Sequence, residues 1–230
     1  DDNFATIVAA VEEGRVVFDN VRKVIMFLIP TGVGFILTII ASLLLGLPLP
    51  FLPAQIVWVN FATNSLQDIA MAFEPPEADV LRRPPRRPEE GLVTPLLVQR
   101  IGLVGAVIAT GTLLVFWWYL ASGAAIEVAR SVALTTMVLY QNVHIFNSRA
   151  ELRSAFSLSP LTNPFLVVSV LVAFGAQLLA IYWAPLQALL GTVAIGFGDW
   201  ALAAAVAVTV LAVVEVEKAV RRQRSAARRG

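Results

Sequence analysis

Six apolar stretches, each about as long as a bilayer is thick, are the strongest constraint on how this chain folds. A hydrocarbon core of about 30 Å is crossed by about 20 residues of α-helix. Every backbone polar group must be satisfied internally there, so runs this long and apolar indicate helices. Hydrophobic residues make up 58% of the chain and charged residues 14%, against about 25% charged in soluble domains. The sequence predicts an all-α, polytopic membrane helical bundle with spans at 24–46, 54–73, 96–120, 128–148, 164–184 and 198–217.

Both ends of the chain are predicted to lie outside this six-helix domain of residues 24–217. Phe4, Ile7 and Val11 recur at helical spacing. We therefore expect residues 1–23 to form a cytoplasmic stalk helix that runs directly into the first span. Residues 218–230 are rich in Lys and Arg, and we expect this cytoplasmic tail to contact anionic lipid headgroups.

Two independent patterns predict the orientation. Arg and Lys lie before span one, between spans two and three, after span four and in the tail, whereas Arg130 stands alone on the other side. Short, positively charged loops stay cytoplasmic, so both termini are expected to be cytoplasmic. Amphipathic aromatic rings favour the interface, and they lie at the expected outer ends: Trp117, Trp118, Tyr119, Tyr182, Trp183 and Trp200.

A run of polar residues occupies the second span. At 100° per residue, Asn60, Thr63, Asn64, Gln67 and Asp68 fall within about a 140° arc of one helix face. Carboxylate, amide and hydroxyl oxygens can replace the hydration shell of a hard cation, and ionisable groups inside a membrane usually mark an ion or substrate pathway. The alternative is a set of interhelical hydrogen bonds, worth about 0.6 kcal/mol each. Five polar residues on one face, one of them acidic, favour a cation pathway.

Other spans contain further candidate ligands. Gln141, His144 and Asn147 lie in the fourth span. His144 is the only histidine and could carry protons or bind a metal, but a lone histidine near a helix end more often forms one structural hydrogen bond. In the first span, Pro30 removes a helical donor and Thr31 follows it, so this segment either lines a cavity or forms a packing kink.

The remaining charged and small residues are interpreted structurally. Gly102 and Gly105 are expected to allow close helix packing. Asp199, Glu215 and Glu217 lie near helix ends and are expected to be solvated. The sequence contains no phosphate-binding Gly-rich loop, HExxH zinc motif or serine nucleophile elbow, so we expect no catalytic residue in this chain. It has no cysteine and a net charge of only +1, so neither disulfides nor a nucleic-acid partner is expected.

Five short segments carry a family resemblance. Residues 1–15 read DDNFATIVAAVEEGR, and further matching segments are QIVWVN at 55–60, FEPP at 73–76, RPPR at 83–86 and FNSR at 146–149. Together they resemble the type-two P-type cation-transporting ATPases, the group that includes the calcium pumps. The first segment resembles the join between the phosphorylation domain and the fifth membrane helix.

The resemblance implies that the six spans are the last six membrane helices of a pump and that the chain is part of a longer protein. The intact pump would use ATP and magnesium, although this chain is expected to bind no cofactor of its own. The implied partners are the transported cation, the lipid bilayer and the missing N-terminal pump domains, and the implied location is a bacterial plasma membrane. The alternative is a free-standing six-helix channel or membrane subunit without ATPase activity.

The resemblance also implies an altered cation site. Asn60 and Thr63 match the calcium-pump pattern of the sixth helix, whereas Asn64 and Gln141 stand where that pattern has acidic residues. Asp68, one turn beyond, is the acid that this sequence offers instead. Divalent affinity rises with ligand charge, so we expect a weaker-field cation or a single ion.

Overall fold

The protein is described by a computed structural model that covers residues 4–76, 80–81 and 91–227. These residues form helices joined by turns, as the all-α prediction requires. Residues 1–3 of the predicted stalk, the RPPR segment at 83–86 and the last three residues of the tail lie outside this description. The elements are α1 (Phe4–Leu44), α2 (Pro53–Val59), a π-helical turn (Asn60–Asn64), α3 (Ser65–Ala72), α4 (Pro95–Ala121), α5 (Ile126–Ser148), α6 (Pro164–Tyr182), α7 (Ala184–Leu190) and α8 (Phe197–Ala227), with short 3₁₀ turns at Ala155–Ser157 and Pro160–Thr162.

Four helices in the described ranges are long and apolar enough to cross a membrane. They are Thr6–Leu44, Pro95–Ala121, Pro164–Tyr182 and Phe197–Arg224. The second predicted span is divided by the π-helical turn, and the fourth, α5, is 23 residues long but carries many polar side chains. The count of six spans therefore remains a prediction.

Helix α5 lies at the centre of the bundle. Every residue from Ser131 to Asn142 is buried, and α5 packs against α1, α4, α6 and α8. Its apolar residues Met137 and Tyr140 are fully buried in the main core. Because helices surround it, the polar side chains of α5 face protein and not lipid.

Helix α1 continues without a break through Pro30. Proline has no backbone N–H, so the carbonyl four residues earlier, that of Met26, loses its helical donor. This carbonyl lies 3.3 Å from His144 Nε2 and 3.5 Å from Ser148 Oγ on α5. The bond that Pro30 removes is thus replaced by contacts to a neighbouring helix.

Close packing between α1 and α4 depends on two glycines. A Cβ at Gly34 would lie 2.8 Å from the Ile108 side chain, and one at Gly105 would lie 2.9 Å from Val33. Small residues let membrane helices approach closely, so the expectation for Gly105 is met. It is wrong for Gly102, where an added Cβ would meet nothing within 4 Å.

The basic tail begins inside the bundle. Helix α8 continues through the first part of the tail to Ala227, and Lys218 is fully buried, with Nζ donating to the Asn147 carbonyl at 2.8 Å. Lys218 is therefore engaged by the protein, whereas the contact of the rest of the tail with lipid headgroups stays a prediction. Glu217 accepts from buried Arg100 at 2.6 Å and also pairs with Arg221, so the expectation that Glu217 is solvated is wrong.

Two other acidic side chains are also engaged with the protein. Glu215 accepts hydrogen bonds from Ser154 Oγ at 2.5 Å and from the Ala155 amide at 2.8 Å. Asp199 accepts from the hydroxyl of Tyr119. Both were expected to be solvated, but each joins parts of the chain that are far apart in sequence, and Glu215 lies inside α8 and not near its end.

Candidate functional site

The π-helical turn changes which polar residues of the second predicted span face the protein. The Ser65 amide donates to the carbonyl of Asn60, five residues back, and this wider turn shifts the register of the following helix. Asn60 is exposed and its Nδ2 donates to the Ile56 carbonyl at 2.9 Å, whereas Thr63 and Asn64 are buried. The single face predicted at 100° per residue is therefore wrong for Asn60. Turns of this kind occur often at functional sites.

Two polar contacts join this segment to α5. The Thr63 hydroxyl lies within hydrogen-bond distance of Gln141 Oε1 as well as of the carbonyl of Val59. One turn along, Gln67 Nε2 donates to Asn142 Oδ1 at 2.6 Å. The structure therefore brings Gln141 to the polar run, as a shared site requires.

Three acceptor atoms on this segment lack partners. Among the residues that the structure describes, Asn64 Oδ1, Gln67 Oε1 and Asp68 Oδ1 are buried and accept no hydrogen bond. Leaving one such group unsatisfied costs about 1–3 kcal/mol. The three residues are spaced i, i+3 and i+4, so they lie on neighbouring positions of one helix face. Unpaired amide and carboxylate oxygens are of the kind that coordinates hard cations.

The charge of this oxygen set is low. Asp68, which is half-buried, is its carboxylate, and Asn64 and Gln67 contribute neutral amide oxygens. Asn60 is still linked to this set through a hydrogen bond, because its Oδ1 accepts from Asn64 Nδ2 at 2.9 Å. Within residues 4–76, 80–81 and 91–227, no three histidine, aspartate or glutamate side chains cluster as a metal site. The unpaired oxygens of this segment are therefore mainly those of neutral amides.

The three further candidates have other partners. The Thr31 hydroxyl lies 3.0 and 2.9 Å from the carbonyls of Phe27 and Leu28 in its own helix. His144 contacts the Met26 carbonyl of α1 through Nε2, as above. Asn147 Nδ2 lies 3.3 Å from the Val210 carbonyl of α8. None of these described contacts reaches the polar run, so the structure does not join these three to it.

One contact residue, Asn142, belongs to the polar pattern of the fourth predicted span but was not among the predicted site residues. Asn142 is polar and lies inside the fourth predicted span, but nothing in the spacing distinguishes it from its neighbours. Its role as the acceptor for Gln67 depends on how the π-helical turn sets the register of α3 against α5. The one sequence feature that pointed to Asn142 was its position next to Gln141, which was a predicted site residue.

Comparison with known proteins places the chain among pump sequences. Residues 48–220 match the family described as "Cation transporting ATPase, C-terminus". The chain is 41% identical over 203 residues to a "Calcium-transporting ATPase" of Bacillus subtilis (strain 168), an alignment that covers 88% of this chain and 23% of that protein. It is 38% identical over 217 residues to a "Probable cation-transporting ATPase F" of Mycobacterium bovis, covering 94% and 24%, and to one of Mycobacterium tuberculosis to the same extent. The chain thus spans about a quarter of the length of these relatives.

Proposed function

The chain belongs to the P-type cation-transporting ATPases as their C-terminal membrane region, and we propose that it supplies part of the cation site of an ATP-driven pump. In this proposal, ATP and magnesium are bound by domains that precede the chain in the intact protein. The described residues bind the cation within the membrane. The stalk portion of α1 transmits movement between the two.

The observation that carries this proposal is the set of unpaired oxygens on Asn64, Gln67 and Asp68. A set of interhelical hydrogen bonds would be expected to leave few acceptors unused, because unpaired buried groups are costly. A bound cation removes this cost by accepting the lone pairs. We assign Thr63 and Gln141 to the same site because their contact lies one turn away.

The charge of the site suggests what it transports. Asp68 is the one carboxylate in the proposed ligand set, and affinity for divalent cations falls as ligand charge is removed. We therefore propose that the site holds a single cation, with neutral oxygens completing its coordination. The relatives' names give calcium for one and an unspecified cation for the others.

The topology is part of the same proposal. Six spans, with α5 and the Pro53–Ala72 segment among them, put the Arg-rich loops and both termini on the cytoplasmic side. The polar character of α5 is compatible with a span because other helices surround it. The relatives are bacterial, and we propose a bacterial plasma membrane as the location.

The decisive experiment measures ATP hydrolysis by the intact gene product as a function of cation concentration, with calcium, sodium and potassium as separate probes. Asp68→Asn is expected to raise the half-saturating concentration of the activating cation about tenfold or more, which corresponds to about 1.4 kcal/mol of lost binding. Asn64→Ala is expected to change it in the same direction.

Glu127→Gln is the matched control, because it makes the same change from carboxylate to amide at an exposed position. It should leave cation activation unchanged. Equal behaviour of Asp68→Asn and Glu127→Gln would contradict the site. Cation flux through the 230-residue chain alone, in liposomes without ATP, would contradict the pump and support a channel.

A further inference from the structure

The end of α3 is held by side chains from other helices. The last carbonyls of a helix have no intrahelical donor. In α3, the Ala72 carbonyl accepts from Asn20 Nδ2 of α1 at 3.0 Å, and the Ala70 carbonyl accepts from Asn163 Nδ2 at 2.9 Å. Asn163 is the N-cap of α6. The helix that carries Asp68 is therefore capped by α1 on one side and by α6 on the other.

Asn20 makes a two-point contact. Besides the Ala72 carbonyl, its Nδ2 donates to the Glu74 carbonyl at 2.9 Å. Asn20 is 5% exposed, so water does not compete for these bonds. An amide NH₂ has two donor hydrogens, and here both are directed at the final turn of the candidate cation segment.

The Glu74 side chain fixes the same point from the opposite direction. Its carboxylate accepts from Arg149 Nε at 2.8 Å and from Asn163 Nδ2 at 2.8 Å. Arg149 follows α5 directly, and its Nη1 donates to the Ser159 carbonyl at 2.9 Å. Glu74 is therefore anchored to the ends of α5 and α6, so the turn that follows α3 has little freedom to move by itself.

An apolar cluster completes this contact. Phe27 of α1 packs with Ala70 and Met71 of α3, and with Ile145 of α5 and Leu166 of α6, all of them buried. The four helices therefore meet at one level, about one helical turn from Asp68 along α3. A shift of α1 at this level cannot leave α3 unaffected, because close-packed interiors transmit displacement.

We propose that Asn20 is a positioning residue that couples the stalk portion of α1 to the cation segment. The inference rests on the proposed pump function, and it names one residue through which the stalk and the cation segment communicate. Helix α1 is continuous from Phe4 through Asn20, so a movement applied to the stalk reaches Asn20 along one rigid element. Its two hydrogen bonds pass that movement to Ala72 and Glu74, and α3 carries it to Asp68.

The inference depends on hydrogen-bond donation and not on the size of the side chain. Asn20→Asp keeps the shape but has no N–H to donate to a carbonyl, so it should fail as fully as Asn20→Ala. Asn20→Gln keeps the NH₂ group and should retain part of the coupling. A merely structural role would not separate these variants in this order.

The test uses the intact protein and two measurements. The first is equilibrium cation binding without ATP, which also reports whether each variant folds. The second is the ratio of phosphorylation by ATP at saturating cation to phosphorylation without cation. For Asn20→Ala and Asn20→Asp, binding affinity is expected to stay within about twofold of wild type, whereas the activation ratio falls about fivefold or more, as expected when a coupling between sites is lost.

Val17→Ala is the matched control, because Val17 lies one turn earlier on α1 and is exposed. It should change neither measurement. Wild-type protein without cation-activated phosphorylation would sink the proposed function itself. Wild-type activation together with an unchanged ratio in Asn20→Asp would overturn the coupling role alone, as would an affinity loss equal to the loss of activation.

Discussion

Two ion pairs just beyond the C-terminal end of α5 differ in how far they are removed from water. The Glu74 and Arg149 side chains are 5% and 2% exposed, whereas those of Glu151 and Arg22 are 31% and 18% exposed. A buried charge that loses its partner is left without solvation, while an exposed one is simply hydrated. The two pairs look alike in sequence, because each joins an acid and an arginine that are far apart along the chain.

Glu74→Gln is therefore expected to destabilise the protein by about 3–5 kcal/mol, because it leaves the Arg149 guanidinium buried without a counter-charge. Glu151→Gln makes the same chemical change at the exposed pair and should cost at most about 1 kcal/mol. The free energy of unfolding in detergent distinguishes the two. Equal, small effects would mean that water reaches Glu74.

At the scale of single helices, α1 shows how a proline can be retained inside a span. The Met26 carbonyl has its partner on α5 and not in α1. Pro30 on α1 and His144 on α5 are thus linked, because His144 contacts the carbonyl whose helical donor Pro30 removes. The sequence left open whether Pro30 lines a cavity or forms a kink; the observed outcome is a continuous helix with an interhelical bond.

The pairing predicts a non-additive mutant cycle. His144→Leu should cost about 1–3 kcal/mol, because the Met26 carbonyl loses its better contact. In the double variant Pro30→Ala/His144→Leu, the backbone N–H restored by the proline replacement can bond that carbonyl within α1. The cost of His144→Leu should therefore be smaller in the Pro30→Ala background than in the wild type. Unfolding free energies of the four proteins measure the coupling, and strict additivity would show that Pro30 and His144 are independent.

The π-helical turn is the other feature of this scale that sequence spacing missed. A fixed 100° per residue correctly grouped Thr63, Asn64 and Gln67, which are buried. It failed at Asn60, because one wide turn rotates everything that follows it. No residue in the run indicates such a turn, since its amide and hydroxyl groups are equally compatible with an α-helical register.

For the whole molecule, the untested quantity is how many times the chain crosses the membrane. The side of the membrane on which a given loop lies depends on whether only the four apolar helices cross it or α5 and the Pro53–Ala72 segment cross it as well. If all six cross, the loop at Leu49 and the loop at Ser122 lie on one side. If only the four apolar helices cross, these loops lie on opposite sides.

Single-cysteine labelling decides between them. Leu49→Cys and Ser122→Cys should both react with a membrane-impermeant maleimide from outside the cell, and Ser157→Cys only after permeabilisation. The chain has no cysteine of its own, so it contributes no background. Labelling of Leu49→Cys but not Ser122→Cys in intact cells would support four spans.

The sequence by itself determined the class of the protein and its family. Long apolar runs leave the backbone no alternative to helices in lipid, and the matched family confirms the resemblance carried by the short segments. The tertiary structure decided which polar groups meet. Three charged residues look solvated in sequence but are held by residues far away along the chain: Lys218, Glu215 and Glu217. The partners of Asn142 and Asn20 are also distant in sequence. Hydropathy reports the mean environment of a segment, whereas the partner of a buried polar atom depends on helix register and packing, which are set by contacts between distant residues.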